Sequence, residues 1–454
     1  MKDWLGNISG KGALRVVVSC MLLLGLISWA IINSGSILVG GKQNLRFWCM
    51  FTGPDGVTML RMIKGFNTDH QNAHVTMQRM EAAMYYNKLL VAGLGDRSPE
   101  VFVVHITSVP RFEKAGVLEP LNDLFERGEA GLDRADFDEN IFHHVVRNDK
   151  VLAVPLDIHP MGMYYNPEMM KEAGLVDAQG NVMVPATQEE FLHALRRLKE
   201  THTEPGTWPF AWGWLPHDMQ NMIAQWGGSF VNKDFTKCTL DDPRNVAAMQ
   251  FAADLIHKHK LVPPLDSRMS WVGFRQGKLA LAFEGVYMLG DLVRVPGLSY
   301  EPAVLPQLGP QKGVFANSHV LCVRAGIEGE QREAALALVK YLSDNSLDWA
   351  EAGQVPVRRS LRDTDRFREM KVQEVFSRQI PYAMFLPMVP WLSEMQAEFS
   401  VAIERILYGT ETPEVALGKA TKNVNEVIER YRLMDEELAR IAAEEAAEES
   451  GGAQ

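Results

Sequence analysis

The order of hydrophobic and polar residues along the chain predicts strands and helices in alternation. Period-two alternation and short apolar runs indicate strands, whereas apolar residues spaced three and four apart indicate helices. On this basis we predict strands at residues 44–51, 73–80 and 101–104, and helices at residues 57–68, 82–93, 188–199, 243–259 and 423–443. The alternation predicts an α/β fold in which the first sheet is mostly parallel.

The length of the chain predicts two domains, because 454 residues are too many for one ordinary hydrophobic core. No internal repeat, low-complexity insert or long flexible linker separates two halves of the sequence. Two lobes without a single linker must be joined by chain crossings within the fold.

The N-terminus carries an apolar run at residues 16–32 that contains no charged residue and follows Lys2, Lys11 and Arg15. This order predicts membrane targeting, with the rest of the chain exported. A run of 17 residues is compatible both with a signal peptide cleaved after Ser36 and with an uncleaved membrane helix. Cys20 lies inside the run rather than after it, which argues against a lipid anchor.

The net charge and the cysteine spacing argue against nucleic-acid binding and against a cysteine metal site. The net charge of −11 argues against binding to nucleic acid phosphates, and part of this charge lies in an acidic C-terminal helix or tail at residues 433–454. Cys49, Cys238 and Cys322 form no metal-binding or CxxC pattern. One disulfide is compatible with an exported protein, and the sequence does not choose its pair.

Ten segments in order resemble the family-1 extracellular solute-binding proteins of ABC importers, the group of the maltose- and glycerol-3-phosphate-binding proteins. They are SPEVFVVH (98–105), AGVLEPLN (115–122), VPLDIHPMGMYYN (154–166), EAGL (172–175), GKLALAFEGVYM (277–288), LPQLG (305–309), ANSH (316–319), WAEAGQVPVR (349–358), PMVPW (387–391) and GTETPEVAL (409–417). The resemblance covers residues 44–432. The chain departs from the family in having Tyr287 where tryptophan is commoner, and in the turn at residues 79–81.

The resemblance implies an α/β, two-lobed periplasmic-binding-protein fold with a ligand cleft between the lobes. A signal or membrane segment would occupy residues 1–43. Lobe one would comprise residues 44–155 plus 317–356, and lobe two residues 156–316 plus 357–432. About three chain crossings would join the lobes.

A cleft that binds sugar needs flat aromatic rings for the C–H faces of the sugar and fixed polar groups for its hydroxyls. The aromatic candidates are Trp212, Trp214, Tyr287 and Trp391. The polar candidates are Glu81, His105, Asp157, His159, Ser318, His319 and Arg358. For Asp157 and His159 the alternative role is a hinge hydrogen bond, and for Arg358 it is to hold the third crossing. We expect no catalytic residue, metal or cofactor, because no catalytic motif or zinc spacing is present.

The expected function is capture of a carbohydrate, most simply a neutral sugar or oligosaccharide, by hinge closure of the two lobes. The partners would be the ligand, the permease subunits of the importer and the membrane through the N-terminal segment. We expect a monomer located in the periplasm or at the cell surface, anchored or released. The alternatives are a carbohydrate-active hydrolase or lyase, a binding protein for a phosphorylated polyol such as glycerol 3-phosphate, and an anchored sensor.

Overall fold

The computed structural model describes residues 42–265 and 270–451, which form two large β-sheets covered by helices and a separate two-stranded sheet at residues 146–147 and 150–151. The strands are β1 (Gln43–Cys49), β2 (Ala73–Arg79), β3 (Val101–His105), β4 (Val146–Arg147), β5 (Lys150–Val151), β6 (Val154–Pro155), β7 (Asp157–Tyr165), β8 (Trp208–Phe210), β9 (Leu279–Gly285), β10 (Glu301–Ala303), β11 (Val314–Asn317), β12 (His319–Val323), β13 (Val355–Pro356) and β14 (Ala383–Met384).

Seventeen α-helices are present in the described residues. They are α1 (Pro54–Asp69), α2 (Ala82–Leu94), α3 (Val109–Lys114), α4 (Glu139–Phe142), α5 (Pro167–Glu172), α6 (Gln188–Thr201), α7 (Leu215–Trp226), α8 (Pro243–His257), α9 (Trp271–Arg275), α10 (Leu289–Leu292), α11 (Gly329–Asp344), α12 (Ser346–Trp349), α13 (Arg359–Arg362), α14 (Asp365–Glu369), α15 (Lys371–Ser377), α16 (Leu392–Leu407) and α17 (Pro413–Gly451). The predicted strands and helices of the first lobe are confirmed within a few residues. The last helix is longer than predicted, since it begins at Pro413.

The two sheets are both mixed. The first has the strand order β2-β1-β3-β12-β6, in which β1 runs parallel to β2 and β3, whereas β12 runs antiparallel to β3 and β6. The second has the order β14-β11-β7-β9-β8, with β10 and β13 also paired to β7. The expectation of a mostly parallel first sheet is therefore wrong for half of its pairings. β12 comes from a distant part of the chain, so no helical crossover forces it to run parallel.

The chain passes between the sheets at three places. Leu156 separates β6 in the first sheet from β7 in the second, and Ser318 separates β11 from β12. The third passage follows α12 and leads into β13, which pairs with the start of β7 at Ile158 and Asp157. Backbone bonds from Leu156 N–H to His319 O (2.9 Å) and from Ile106 N–H to Ser318 O (2.8 Å) hold the first two passages against the first sheet.

β7 is the central strand of the second sheet, and all but its last residue is buried. Gly162 lies in its middle, opposite Glu284 on β9. A Cβ atom at Gly162 would lie 2.3–2.5 Å from ring atoms of Phe376 on α15, which is itself fully buried. The ring therefore packs directly on the backbone of β7, and the position has no room for a side chain.

We expect Gly162→Ala to lower the free energy of unfolding by about 1–3 kcal/mol, because the added methyl group overpacks this contact. The measurement is urea denaturation followed by tryptophan fluorescence. Gly418→Ala is the matched control: no atom lies within 4 Å of the new Cβ there, and Gly418 is inside a helix, so alanine should raise stability by about 0.5–1 kcal/mol. Equal effects at the two positions would contradict the packing argument.

Three further expectations concern the chain ends and the cysteines. Cys49, Cys238 and Cys322 are buried and free, so within the described residues no disulfide forms. The predicted signal or anchor segment lies outside the described residues. In residues 42–265 and 270–451, no helix combines the length and apolar character needed to cross a membrane. The acidic C-terminal segment continues α17 as a helix to Gly451.

Candidate functional site

A cavity of about 960 Å³ lies at the edges of both sheets, next to the chain passages. From the first sheet and its helices it is lined by residues such as Tyr86 and His105, and from the second by residues such as His159, Trp214 and Tyr287. A solute in this cavity would contact both lobes. Its volume is within the range of pockets for drug-sized ligands.

Asp157 lies behind the cavity and joins the three chain passages. Its carboxylate accepts hydrogen bonds from the His319 backbone N–H (2.9 Å), His319 Nδ1 (2.8 Å), His159 Nδ1 (3.2 Å) and Trp349 Nε1 (2.6 Å). The side chain is fully buried. Burial alone would raise the pKa of Asp157, but the charge of His319 and the hydrogen bonds of both histidines bring it below its usual value. Asp157 is therefore a carboxylate at neutral pH.

Three imidazole rings meet at the cavity wall. His105 ends β3, His159 lies near the start of β7 and His319 begins β12, and one nitrogen from each lies within 4.8 Å of the others. We call these residues the histidine cluster. Nδ1 of His159 and of His319 faces Asp157, while Nδ1 of His105 lies 2.5 Å from the Tyr86 hydroxyl. This donor set is one that transition metals accept.

Burial holds His105, His159 and His217 in their neutral forms. Burial lowers the pKa of His105 and His159, and repulsion from neighbouring histidines lowers it further. Burial and then the charge of His159 lower the pKa of His217 to about 4. Uncharged imidazoles can donate through one nitrogen and accept through the other, as hydroxyl recognition requires.

Aromatic rings form a further part of the cavity wall, next to His159. Trp214 is 45% exposed, and its ring meets the Tyr287 ring edge to face at 5.7 Å and 88°. His217 stacks on Phe315 at 4.7 Å and 15°, and its other neighbour is the Trp214 ring. Tyr287 also contacts the His159 ring. Trp214 thus has a ring that is supported on one side and accessible to a ligand.

The structure brings five of the eleven sequence-predicted site residues to the cavity wall: His105, His159, Trp214, Tyr287 and His319. Asp157 is immediately behind them, and Ser318 is fully buried at a passage, where its hydroxyl bonds the His319 carbonyl. Glu81 is an exposed residue that precedes α2, whose Ala82 and Ala83 line the cavity.

The remaining three predicted residues lie outside the cavity for identifiable reasons. Trp212 is 3% exposed, packs on Phe210 and donates from Nε1 to the Ala252 carbonyl. Trp391 belongs to the core of the second lobe, although the adjacent Pro390 and Leu392 line the cavity. Arg358 is paired with Asp136 (2.7 Å) and Asp344 (2.5 Å), so it holds the third passage rather than a ligand.

Several lining residues were not predicted from sequence. They include Asp55, Tyr86, Asn87, Arg111, His217 and Asn317. Asn317 and His217 are neighbours of predicted positions, so their place could have been inferred from the same segments. Tyr86, Asn87 and Arg111 are on helices that follow strands β2 and β3, and no motif marks the turn of each helix that faces the cavity.

Comparison with known proteins agrees with this architecture. Residues 52–346 match the family described as bacterial extracellular solute-binding protein. The diacetylchitobiose-binding protein DasA of Streptomyces coelicolor is 27% identical over 53% of this chain, and the match spans 55% of that relative. The glycerol-3-phosphate-binding protein UgpB of Shigella dysenteriae is 20% identical over 87% of this chain and 96% of its own length.

Among solved structures, the substrate-binding protein Lmo0181 of Listeria monocytogenes, in complex with cycloalternan, superposes with a TM-score of 0.74. That match has 19% identity and covers 85% of this chain and 99% of the other. The likeness shows the two-lobed α/β fold. The family match covers more than half of the chain, from just after β1 to the start of α12. This chain is a member of the bacterial extracellular solute-binding proteins.

Proposed function

We propose that this protein captures a neutral carbohydrate between its two lobes and delivers it to the permease of an ABC importer. The observation that carries the proposal is the cavity at the passages, whose wall holds an accessible aromatic ring and uncharged polar side chains. DasA is a diacetylchitobiose-binding protein, and Lmo0181 is seen with cycloalternan, which supports a carbohydrate.

The charge of the cavity favours a neutral solute over a phosphorylated one. The charged side chains that line it are Asp55, Asp291 and Arg111. Burial raises the pKa of Asp55, and Asp291 lies 3.9 Å from Arg275, so the cavity wall carries one cationic side chain, Arg111, against two acidic ones. A phosphate would need an excess of cationic or amide donors. The likeness to UgpB favours glycerol 3-phosphate as the ligand, but the cavity lacks the excess of cationic donors that a phosphate would need.

Closure follows from the position of the cavity. We assign residues 44–155 plus 317–356 to lobe one and residues 156–316 plus 357–432 to lobe two. A solute that touches Tyr86 in one lobe and Trp214 in the other stabilises only the arrangement that brings both within contact. The closed form would be the one that docks on the permease. The protein would work outside the cytoplasmic membrane, anchored by its N-terminal segment or released from it.

A thermal-shift screen with neutral oligosaccharides, monosaccharides and glycerol 3-phosphate tests the ligand class. A ligand in large excess over its dissociation constant should add a few kcal/mol of stability. Small-angle scattering should then show a smaller radius of gyration with the best ligand. Stabilisation by glycerol 3-phosphate alone would overturn the neutral-sugar assignment, and new reducing ends from oligosaccharides would instead indicate a hydrolase.

Trp214→Ala should weaken binding of the best sugar by about 10- to 100-fold, because the exposed ring is the surface on which a sugar face can stack. Trp214→Phe should keep most of the affinity. The measurement is isothermal titration calorimetry. The matched control is Trp226→Ala, since Trp226 packs on Phe251 away from the cavity and its loss should leave affinity unchanged. Equal affinities of wild type and Trp214→Ala would exclude this ring from the site.

A further inference from the structure

The histidine cluster has a feature that sugar binding does not require. Three side chains from distant parts of the sequence, His105, His159 and His319, bring one ring nitrogen each to within 4.8 Å of the others. His105 and His319 belong to the first sheet and His159 to the second. All three rings line the cavity, so an ion bound among them would be in contact with any solute that enters.

The Asp157 carboxylate fixes which nitrogen carries the proton in two of the rings, and the Tyr86 hydroxyl is compatible with the same tautomer in the third. A carboxylate can only accept, so Nδ1 of His159 and of His319 must carry the proton that Asp157 receives. The Tyr86 hydroxyl accepts the His105 backbone N–H (3.1 Å), and it has a second lone pair for Nδ1–H of the same residue. In the described residues, the hydrogen bonds of these rings run through Nδ1, which leaves the three Nε2 atoms for the cavity.

We propose that His105, His159 and His319 bind one divalent transition-metal ion through Nε2, with zinc as the best fit, and that its fourth coordination position is open to the cavity. Zinc accepts three imidazoles and an exchangeable fourth ligand in a tetrahedron. Histidines that bind metals commonly donate their second nitrogen to a carboxylate or another polar group, which is the role of Asp157 and Tyr86 here.

Binding requires the three rings to move closer together. Zinc–nitrogen distances of about 2.0–2.1 Å in a tetrahedron place the nitrogens roughly 3.3 Å apart, whereas ring nitrogens of the three histidines lie within 4.8 Å of one another. Because the ligands come from both sheets at the chain passages, the bound ion would also connect the two lobes. The open coordination position would be available to an oxygen atom of the solute. This role in solute binding rests on the proposed function, whereas the metal site itself does not.

The first experiment measures metal binding to the protein after treatment with a chelator. Titration with Zn²⁺ should show one tight ion per chain, and Co²⁺ in its place should give the intense visible absorption of a tetrahedral site. His105→Gln, His159→Gln and His319→Gln should each weaken binding by at least about 100-fold. His143→Gln is the matched control, because it removes a histidine of the ring pair His143–His144 outside the cavity. It should bind as the wild type does.

Two measurements on the wild type keep the test independent of variant folding. X-ray absorption at the zinc edge should count three imidazole ligands, and azide added to the cobalt-loaded protein should change its visible spectrum if the fourth position is open. Failure to bind zinc stoichiometrically, or binding that survives all three cluster substitutions, would overturn the metal site. An azide-insensitive spectrum would overturn the open position. Sugar binding by metal-free protein is measured separately, so failure of either proposal is distinguishable.

Discussion

Asp157→Ala is expected to lower the free energy of unfolding by about 3–5 kcal/mol, because it removes the acceptor that joins the three chain passages. Four hydrogen bonds converge on this carboxylate, from the backbone and ring of His319, the ring of His159 and the indole of Trp349. Without it, buried N–H donors lose their partner in surroundings that water does not reach. Urea denaturation followed by both circular dichroism and tryptophan fluorescence measures the loss.

The comparison variants separate the hydrogen-bond network from the loss of a carboxylate in general. Trp349→Phe removes one donor and should cost about 1–2 kcal/mol. Asp365→Ala removes an exposed carboxylate paired with Arg368, and it should change stability by no more than about 0.5 kcal/mol. If Asp157→Ala were no more harmful than Asp365→Ala, Asp157 would not be the residue that holds the passages together.

The sequence was informative about the fold where packing is local and repetitive. β3 is a short apolar run and α6 has a regular apolar face with a Thr187–Glu190 capping box, so both were predicted close to their observed bounds. The direction of the strands was harder to predict from the sequence. β12 pairs with β3 and β6, which come from distant parts of the chain, and periodicity carries no information about such long-range pairing.

The residues of the candidate site were also predictable only in part from the sequence. His105 could be placed because it ends a strand, where ligands of α/β proteins collect, and His319 could be placed because it follows a turn at a predicted chain crossing. Trp212 and Trp214 are two residues apart, yet one is in the core and the other in the cavity. The sequence does not distinguish the two tryptophans; only the packing of Trp212 against Phe210 does so. The proximity of the three histidines could not be predicted without knowing the positions of both sheets.

A pair of buried carboxyl groups lies behind the aromatic wall of the cavity. Glu284 on β9 is 3% exposed and Asp218 on α7 is fully buried, and one oxygen of each has no hydrogen-bond partner among the described residues. Burial raises the pKa of Glu284 to about 8, and the nearby Asp291 adds to the shift. Burial and the charge of Glu284 raise the pKa of Asp218 as well. The fold therefore favours the protonated form of both groups.

The sign of the resulting pH dependence follows from the direction of the shift. In the unfolded chain Glu284 ionises near its ordinary pKa of about 4.5, whereas the folded protein keeps it protonated until about pH 8. The unfolded state therefore gains relative stability as the pH rises through this window, and the free energy of unfolding falls. The contribution of Glu284 is complete below pH 4.5 and is lost by pH 8, with a total of the order of 5 kcal/mol.

Glu284→Gln should remove this decline, because glutamine keeps the shape of the protonated acid and does not titrate. The variant should resemble the wild type near pH 4.5 and exceed its stability near pH 8 by about 5 kcal/mol. Denaturation curves at intervals between pH 4.5 and 8.5 provide the measurement, with Glu369→Gln at an exposed position as the matched control. The control curve should run parallel to that of the wild type. If the Glu284→Gln curve also ran parallel to that of the wild type, Glu284 would already be ionised in the folded protein. A cation near Glu284 would then have to compensate its charge.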